Sequence, residues 1–430
     1  MSLKIKLIIL NYLEFAVWGA YLISLGIYLN KMGMGEDIRH FYSMQGFVSI
    51  FMPALMGMVA DRWMQGQRVL SLCHTLAGLF MLAACSYAIG AGEAVEFWPL
   101  FTLYSISVAF FMPTIALGYS VAYAALEGDG QDSVKAFPPI RVWGTVGFIC
   151  CMWAINLLGL HDTAWQLGVS GALSLIMAAY SLTMPAMKVA NDDSRKKSIV
   201  EALGLKAFKL FLNPRMALFF LFSMLLGVCL QITNGYATPY LTTFQGIAEY
   251  ADTFAVKYPV ILTSLSQISE TLCILLIPYF LSKFGIKRVI LIALLAWTLR
   301  FLFFGLGNPS GGVWLFVLSM IVYGVAFDFF NISGSLFVNQ ETDENIRSSA
   351  QGLFMMMTNG LGAAIGMQAA GAIQSYYVPS FEQGETVTQQ MAHDAIAGWQ
   401  QCWYIFAAYA FVVAILFAIF FKDSKKPVEG

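Results

Sequence analysis

Charge is scarce in this sequence. Only 11% of its 430 residues are Asp, Glu, Lys or Arg, against about 25% in a soluble domain, so little of the chain is left over for one. Net charge is lacking too: 24 basic and 25 acidic residues give −1, and no bulk basic field points to nucleic acid. Histidine is rare, with four residues (40, 74, 161 and 393) scattered along the chain, which argues against a metal site. The seven cysteines are odd in number, form no Cys-x-x-Cys pair and lie mostly in apolar runs. They read as small core residues, not as a disulfide or metal framework. No cofactor is expected. Nor is a cleavable leader, because the first apolar run continues to about residue 29, too long for a signal core, and lacks a clear small-residue cleavage site.

What the chain has instead is apolar length. Hydrophobic residues make up 59%, and mean hydropathy is +0.70. A bilayer crossing takes roughly 20 apolar residues as a helix, and lipid cannot satisfy free backbone groups, so the spans must be helical. Twelve candidates follow, at approximately 7–30, 41–60, 68–90, 96–124, 140–158, 165–187, 215–240, 256–281, 288–307, 312–338, 347–372 and 398–421. The chain is read as an all-α polytopic membrane protein.

Lys and Arg set the orientation. An even number of spans puts both termini on one side. That side holds Lys4, Lys6, Arg62, Arg68, Lys135, seven between 188 and 215, Lys283, Lys287, Arg288, Arg347, Lys422, Lys425 and Lys426. The other holds only Lys31, Arg39 and Lys257. Both termini are therefore expected in the cytoplasm. The basic connection 188–214 divides the chain into six-helix bundles at 1–187 and 215–430, and 198–211 within it has the pattern of an amphipathic surface helix. The halves carry weak internal similarity, as in diverged transporter repeats. Gly57-Met-Val-Ala-Asp-Arg-Trp-Met-Gln-Gly-Gln-Arg68 and Phe280-Leu-Ser-Lys-Phe-Gly-Ile-Lys-Arg288 are matching short, basic, glycine-containing turns. With the Gly57-x-x-x-Asp61-Arg62 turn, twelve spans and the six-plus-six split, the chain resembles the major facilitator superfamily. That resemblance implies two bundles rocking about a central site.

Polar residues recur at helical spacing in the second half. Gln231, Asn234 and Thr238, then Thr263, Gln267 and Glu270, then Asp328, Asn331 and Ser335 each share one helix face. Hydroxyls and amides can glue transmembrane helices together, and for Ser and Thr that reading is favoured. The four amides exceed what packing needs, and amides read ligands with several donors and acceptors. In the first half, Arg141, Thr145 and Phe148 share a face of span five, and Glu14, Trp18 and Tyr21 share one of span one. Glu270, Arg300 and Asp328 lie deep in spans eight to ten. Intramembrane ionisable residues are functional by default, so Glu270 and Asp328 are candidates for proton coupling. A buried ion pair with Arg300 is the structural alternative. Arg141 stands near a helix N-terminus, where the dipole disfavours a cation, so a carboxylate or a ligand is expected to hold it. Tyr323, Phe327 and Asn331 form a further stripe on span ten, read as packing unless the substrate is planar, when aromatic faces could stack on it.

A closer resemblance follows from Phe137-Pro-Pro-Ile-Arg-Val-Trp-Gly-Thr145, Leu230-Gln-Ile-Thr-Asn234, Ser266-Gln-Ile-Ser-Glu-Thr271 and Ala326-Phe-Asp-Phe-Phe-Asn-Ile-Ser-Gly-Ser335, with Gly285-Ile-Lys-Arg288 and Ser349-Ala-Gln-Gly352. Over nearly the whole chain these are similar to the bacterial nucleoside–proton symporter family. The resemblance implies proton-driven import of nucleosides through the cytoplasmic membrane. It implies ligand contacts by Arg141, Thr145, Gln231, Asn234, Gln267 and Glu270, with Tyr323, Phe327 and Phe148 packing around base or sugar, and coupling or site support by Asp328. One departure is Leu13-Glu-Phe15, where the family is expected to have Leu-Gln-Phe. Glu14 could alter selectivity or coupling, or sit in a wet vestibule.

The residues agree with an uncharged, flat, hydroxyl-bearing substrate. A phosphate would want several Arg or Lys, so nucleotides are disfavoured. The alternative is a proton symporter for a sugar or other neutral solute. An intramembrane enzyme lacks a Ser/His pairing or a His-Glu-x-x-His motif in the spans. A nucleoside sensor would want a soluble signalling domain. The partners expected are a nucleoside, protons and membrane lipid, with the chain a monomer.

Overall fold

The computed structural model describes residues 2–132, 136–186, 205–342, 344–380 and 387–422. Among them the secondary structure is helical, without strands. Packing divides the chain into two units, Met1–Met34 with Phe47–Leu203, and Gly35–Gly46 with Gly204–Gly430.

The first unit contains α1 (Leu3–Gly19), α2 (Leu25–Lys31), most of α3 (Ile38–Arg62), α4 (Gly66–Ala91), α5 (Phe97–Gly128), α6 (Pro138–Leu157) and α7 (Trp165–Ser181). Within it, α1 packs along α6 and α7, and α4 packs along α5 and α7. Span one is not continuous. It breaks at residues 20–24, where the Ser24 hydroxyl donates to Gln166 Oε1 at 2.8 Å. Pro138 and Pro139 open α6, at the positions where a missing N–H costs nothing.

The second unit contains α8 (Pro214–Leu230), α9 (Ile232–Thr243), α10 (Pro259–Cys273), α11 (Ile277–Leu306), α12 (Val313–Glu341), α13 (Glu344–Met355), α14 (Ala363–Tyr377) and α15 (Gln389–Phe420). A π-helical segment, Met356–Gly362, joins α13 to α14. The first turns of α3 belong here: Gln368 on α14 donates to the Ser43 hydroxyl at 2.8 Å. The expected surface helix at 198–211 lies partly outside the described residues, and Leu205–Leu212 is a 3₁₀ helix. The side chains of Asp61 and Arg62 in the signature turn also lie outside the described residues.

Eight helical stretches among the described residues are long and apolar enough to cross a membrane. One of them, Pro259–Leu306, has 48 residues. As a single rod it would run about 72 Å, more than twice the roughly 30 Å of a hydrocarbon core. It therefore holds two crossings, and the turn between them is at Gly285, whose φ of 74° breaks the helix. Leu79, Leu275, Ile321, Phe411 and Ile419 stand exposed on these helices. In water such surface would be a liability; in lipid it is the solvated face.

Close glycine contacts knit one helix pair in each unit. In the first, a Cβ on Gly19 or Gly147 would collide with the Phe148 or Tyr12 carbonyl, so α1 and α6 touch backbone to backbone. In the second, a Cβ on Gly227 or Gly366 would collide with the Thr358 or Val228 carbonyl, joining α8 to the π segment and α14. Small residues at such crossings are how membrane helices gain contact, since lipid offers no hydrophobic drive for them to associate.

Candidate functional site

The polar stripes of the second unit lie on neighbouring helices. α10 packs against α12 and touches α9. The approach of α10 to α12 depends on Gly324, where a Cβ would sit 2.5 Å from the Ser269 carbonyl oxygen. Gln231 lies at the break between α8 and α9, and its Oε1 accepts from Asn234 Nδ2 at 2.9 Å. Asn331 Nδ2 donates to the Phe327 carbonyl at 2.9 Å. Gln267 differs: its Oε1 is buried with no hydrogen-bond partner among the described residues. Tyr323 and Phe327 stack with centroids 5.5 Å apart and planes 20° from parallel. Asp328 is buried and Glu270 half-buried.

The two hydroxyls differ: Thr263 bonds within its own helix, donating to the Val260 carbonyl at 3.0 Å, while Ser335 joins two helices. Ser335 exchanges hydrogen bonds with Gln351 of α13, 3.0 Å to Oε1 and 2.7 Å from Nε2.

Arg300, weighed above as an ion-pair partner for Glu270 and Asp328, is held by neutral groups. It is 3% exposed. Nη1 donates to Ser266 Oγ at 3.2 Å and to the Ser319 carbonyl at 2.9 Å. Nη2 donates to Thr233 Oγ1 at 3.0 Å, and Ser319 Oγ returns a bond to the Arg300 carbonyl at 2.9 Å. The guanidinium also lies 4.3 Å from the Tyr323 ring centroid. One side chain on α11 thus ties α9, α10 and α12, the three helices that carry the stripes. A rigid fork with five donors suits that task.

In the first unit, Arg141 meets no carboxylate among the described residues. Its Nε donates to the Tyr119 hydroxyl of α5, and its guanidinium lies 4.0 Å from the Phe15 centroid. Thr145 is half-buried one turn further along α6. Phe148 meets Trp18 edge to face at 6.3 Å, and Trp18 packs on Phe15 and Phe111.

Glu14 is not in a wet vestibule. It is 2% exposed, and its Oε2 lies 2.8 Å from His74 Nε2 on α4. Its Oε1 accepts from Thr114 Oγ1 of α5 at 2.6 Å. His74 Nδ1 is 3.0 Å from Ser174 Oγ on α7, and Ser174 donates to the His74 carbonyl at 2.9 Å. Helical spacing alone does not single out Tyr119 or His74 as the partners of Arg141 and Glu14. A histidine inside an apolar span was the available signal, since any ionisable residue there calls for a partner.

Two broken helices, a set of unpaired and paired amides and a stacked aromatic couple, in an all-helical membrane chain, define a polytopic carrier. Comparison with known proteins identifies which. Residues 1–426 match the family model described as nucleoside H+ symporter, and the chain belongs to that family. It is 45% identical to the xanthosine permease of Escherichia coli K12, over 99% of this chain and 98% of that one. It is 43% identical to the nucleoside permease NupG of the same organism, over 98% and 96%. The crystal structure of nucleoside transporter NupG superposes with a TM-score of 0.86 over 99% of this chain and 100% of that chain. A D-xylose–proton symporter shares the fold alone, with a TM-score of 0.69 at 13% identity over 99% of each chain. The fold is that of the major facilitator superfamily, and the protein is a multi-pass protein of the bacterial inner membrane.

Proposed function

We propose that this chain imports nucleosides with protons by alternating access, as a monomer in the lipid bilayer, with twelve crossings, both termini cytoplasmic and no chemical transformation of the substrate. Arg141, Thr145 and Phe148 from the first unit contribute to binding. Gln231, Asn234, Gln267, Glu270, Tyr323, Phe327 and Asn331 contribute from the second. Glu270 and Asp328 couple binding to protonation.

The observation that carries this reading is Gln267 Oε1, a buried acceptor without a hydrogen-bond partner among the described residues. Such an atom costs about 1–3 kcal/mol, and a ribose hydroxyl or a base N–H would satisfy it. Its helix packs on those bearing the Gln231–Asn234 pair and the Tyr323–Phe327 stack. Amides to read hydroxyls and base edges, beside rings to face a flat base, match the chemistry of an uncharged nucleoside.

The test is uptake of radiolabelled uridine, adenosine and xanthosine into proteoliposomes under an inward proton gradient. Accumulation is expected, to vanish when the gradient is collapsed and to survive replacement of sodium. Glu270→Gln is expected to abolish it or cut it strongly at equal reconstitution. Sodium dependence, or wild-type rates in Glu270→Gln, would remove the corresponding part of the reading.

A further inference from the structure

We propose that Tyr119 and Phe15 are positioning residues for Arg141: they fix its guanidinium so that the outer edge, Nη1 with Nη2, is left to meet acceptors on the nucleoside. The inference rests on the reading above that Arg141 contacts substrate, and it adds two residues which that reading does not use.

A guanidinium carries five N–H donors in one plane, and its neighbours here divide them. Nε donates to the Tyr119 hydroxyl of α5. Phe15 of α1 covers a face of the plane, with its ring centroid 4.0 Å from the guanidinium carbon. The Tyr119 centroid lies 5.7 Å from the same carbon. A contact on the face sets the tilt of the plane, and a hydrogen bond within the plane sets its rotation. Nη1 and Nη2 keep four N–H between them, with no hydrogen bond or ion pair from either among the described residues. Arg300 is the reverse case. Both of its Nη atoms are taken by protein groups, its Nε has no partner among the described residues, and the residue is buried, whereas Arg141 is half-buried. One arginine spends its fork on the fold; the other spends Nε and keeps the fork.

The local sequence makes room for this arrangement. Gly144 stands one turn after Arg141 on α6, and a Cβ there would lie 2.6 Å from Phe15 Cδ2 and 2.9 Å from Arg141 Nη1. Its absence lets the ring and the fork sit together. Tyr119 is braced by Phe137, edge to face at 5.3 Å. Phe15 packs on Trp18, which meets Phe148, so the holder is continuous with another residue assigned to binding. A long side chain that grips a ligand loses rotamer freedom on doing so, and one held in advance has less to lose. That saving is what Tyr119 and Phe15 supply. A plain tie between α5 and α6 would support folding and leave affinity alone, so the two roles separate in a binding experiment.

Tyr119→Phe removes one oxygen and keeps the ring. Uridine dissociation constants are measured by titration calorimetry on the detergent-solubilised protein, with unfolding temperatures beside them. Tyr119→Phe is expected to weaken uridine about two- to tenfold, the range that ordering one long side chain represents. Phe15→Leu, which uncovers the face of the guanidinium, is expected to do the same. Lysine has neither Nε nor a plane to orient, so in an Arg141→Lys background Tyr119→Phe is expected to cost no further affinity. Wild-type affinity in Tyr119→Phe overturns the holder, whether or not its unfolding temperature falls. An equal fold-loss with and without Arg141→Lys overturns it too, because Tyr119 would then act by another route. Arg141→Ala binding uridine as the wild type does is a separate outcome: it removes Arg141 from the binding site, and the holder with it.

Discussion

Replacing Arg300 by lysine separates a structural staple from a substrate contact. The guanidinium reaches Ser266, Ser319 and Thr233 at 2.9–3.2 Å from two nitrogens. These partners sit on three helices. An ammonium is one point on a flexible stem, so Arg300→Lys keeps the buried charge but can hold about one of the three. Interhelical hydrogen bonds in membrane proteins contribute about 0.6 kcal/mol on average and up to about 1.7. Losing two costs about 1–3 kcal/mol, which is a few degrees in unfolding temperature. Arg300→Met loses all three, about 2–5 kcal/mol by the same figures, partly offset because no charge remains buried. The assay is thermal unfolding of the detergent-solubilised protein, paired with the uridine dissociation constant. The staple reading expects a graded fall in stability from wild type through Lys to Met, with affinity following stability. A lysine variant with unchanged unfolding temperature but no uridine binding would refute it and make Arg300 a ligand contact.

Two further perturbations probe the frame and the site. Gly147→Val forces a side chain into the Tyr12 carbonyl; it is expected to lower folded yield and unfolding temperature sharply, whereas Gly57→Ala, with nothing within 4 Å, should leave both unchanged, as size-exclusion profiles and melting curves will show. If Phe327 faces the base, Phe327→Ala should weaken uridine binding about tenfold, the loss of roughly 1.4 kcal/mol, while Phe327→Tyr retains most of it; titration calorimetry giving equal constants for the two variants would leave the ring as packing.

The sequence displayed what is periodic and hid what depends on register between helices. Spans were visible because lipid demands long apolar helices. The amide stripes were visible because i, i+3 and i+7 fall on one face. The turn at Gly285 could be read from a short, basic, glycine-containing stretch between two apolar runs, and the structure places a positive φ there. Pairings across helices were another matter. Glu14 and His74 are 60 residues apart, and each looked like a lone ionisable group until α1 and α4 were set against α5 and α7. Depth within the spans makes Arg300 a candidate partner for Glu270 and Asp328, but it does not show that Ser266, one position before Gln267, meets the guanidinium instead. The break at Gln231 had no proline or glycine beside it in Leu230-Gln-Ile232, so nothing local announced it.

The two units share a construction and differ in chemistry. Each has a glycine-packed helix pair, α1 with α6 and α8 with the π segment and α14, and in each one member is interrupted, at residues 20–24 and at Gln231. Backbone contact of this kind tolerates little change in side-chain volume. The polar groups of the two units differ. The second unit concentrates amides, with Arg300 bracing the helices that carry them. The first holds a cation on Tyr119 and Phe15 and, at the neighbouring residue of α1, Glu14 with His74, enclosed by Thr114, Ser174 and Phe111. The carboxylates proposed to couple protons, Glu270 and Asp328, share helix faces with the amides Gln267 and Asn331, so a change of charge there alters the hydrogen-bonding pattern beside the amides directly, whereas the Glu14–His74 pair lies in the unit without amide stripes.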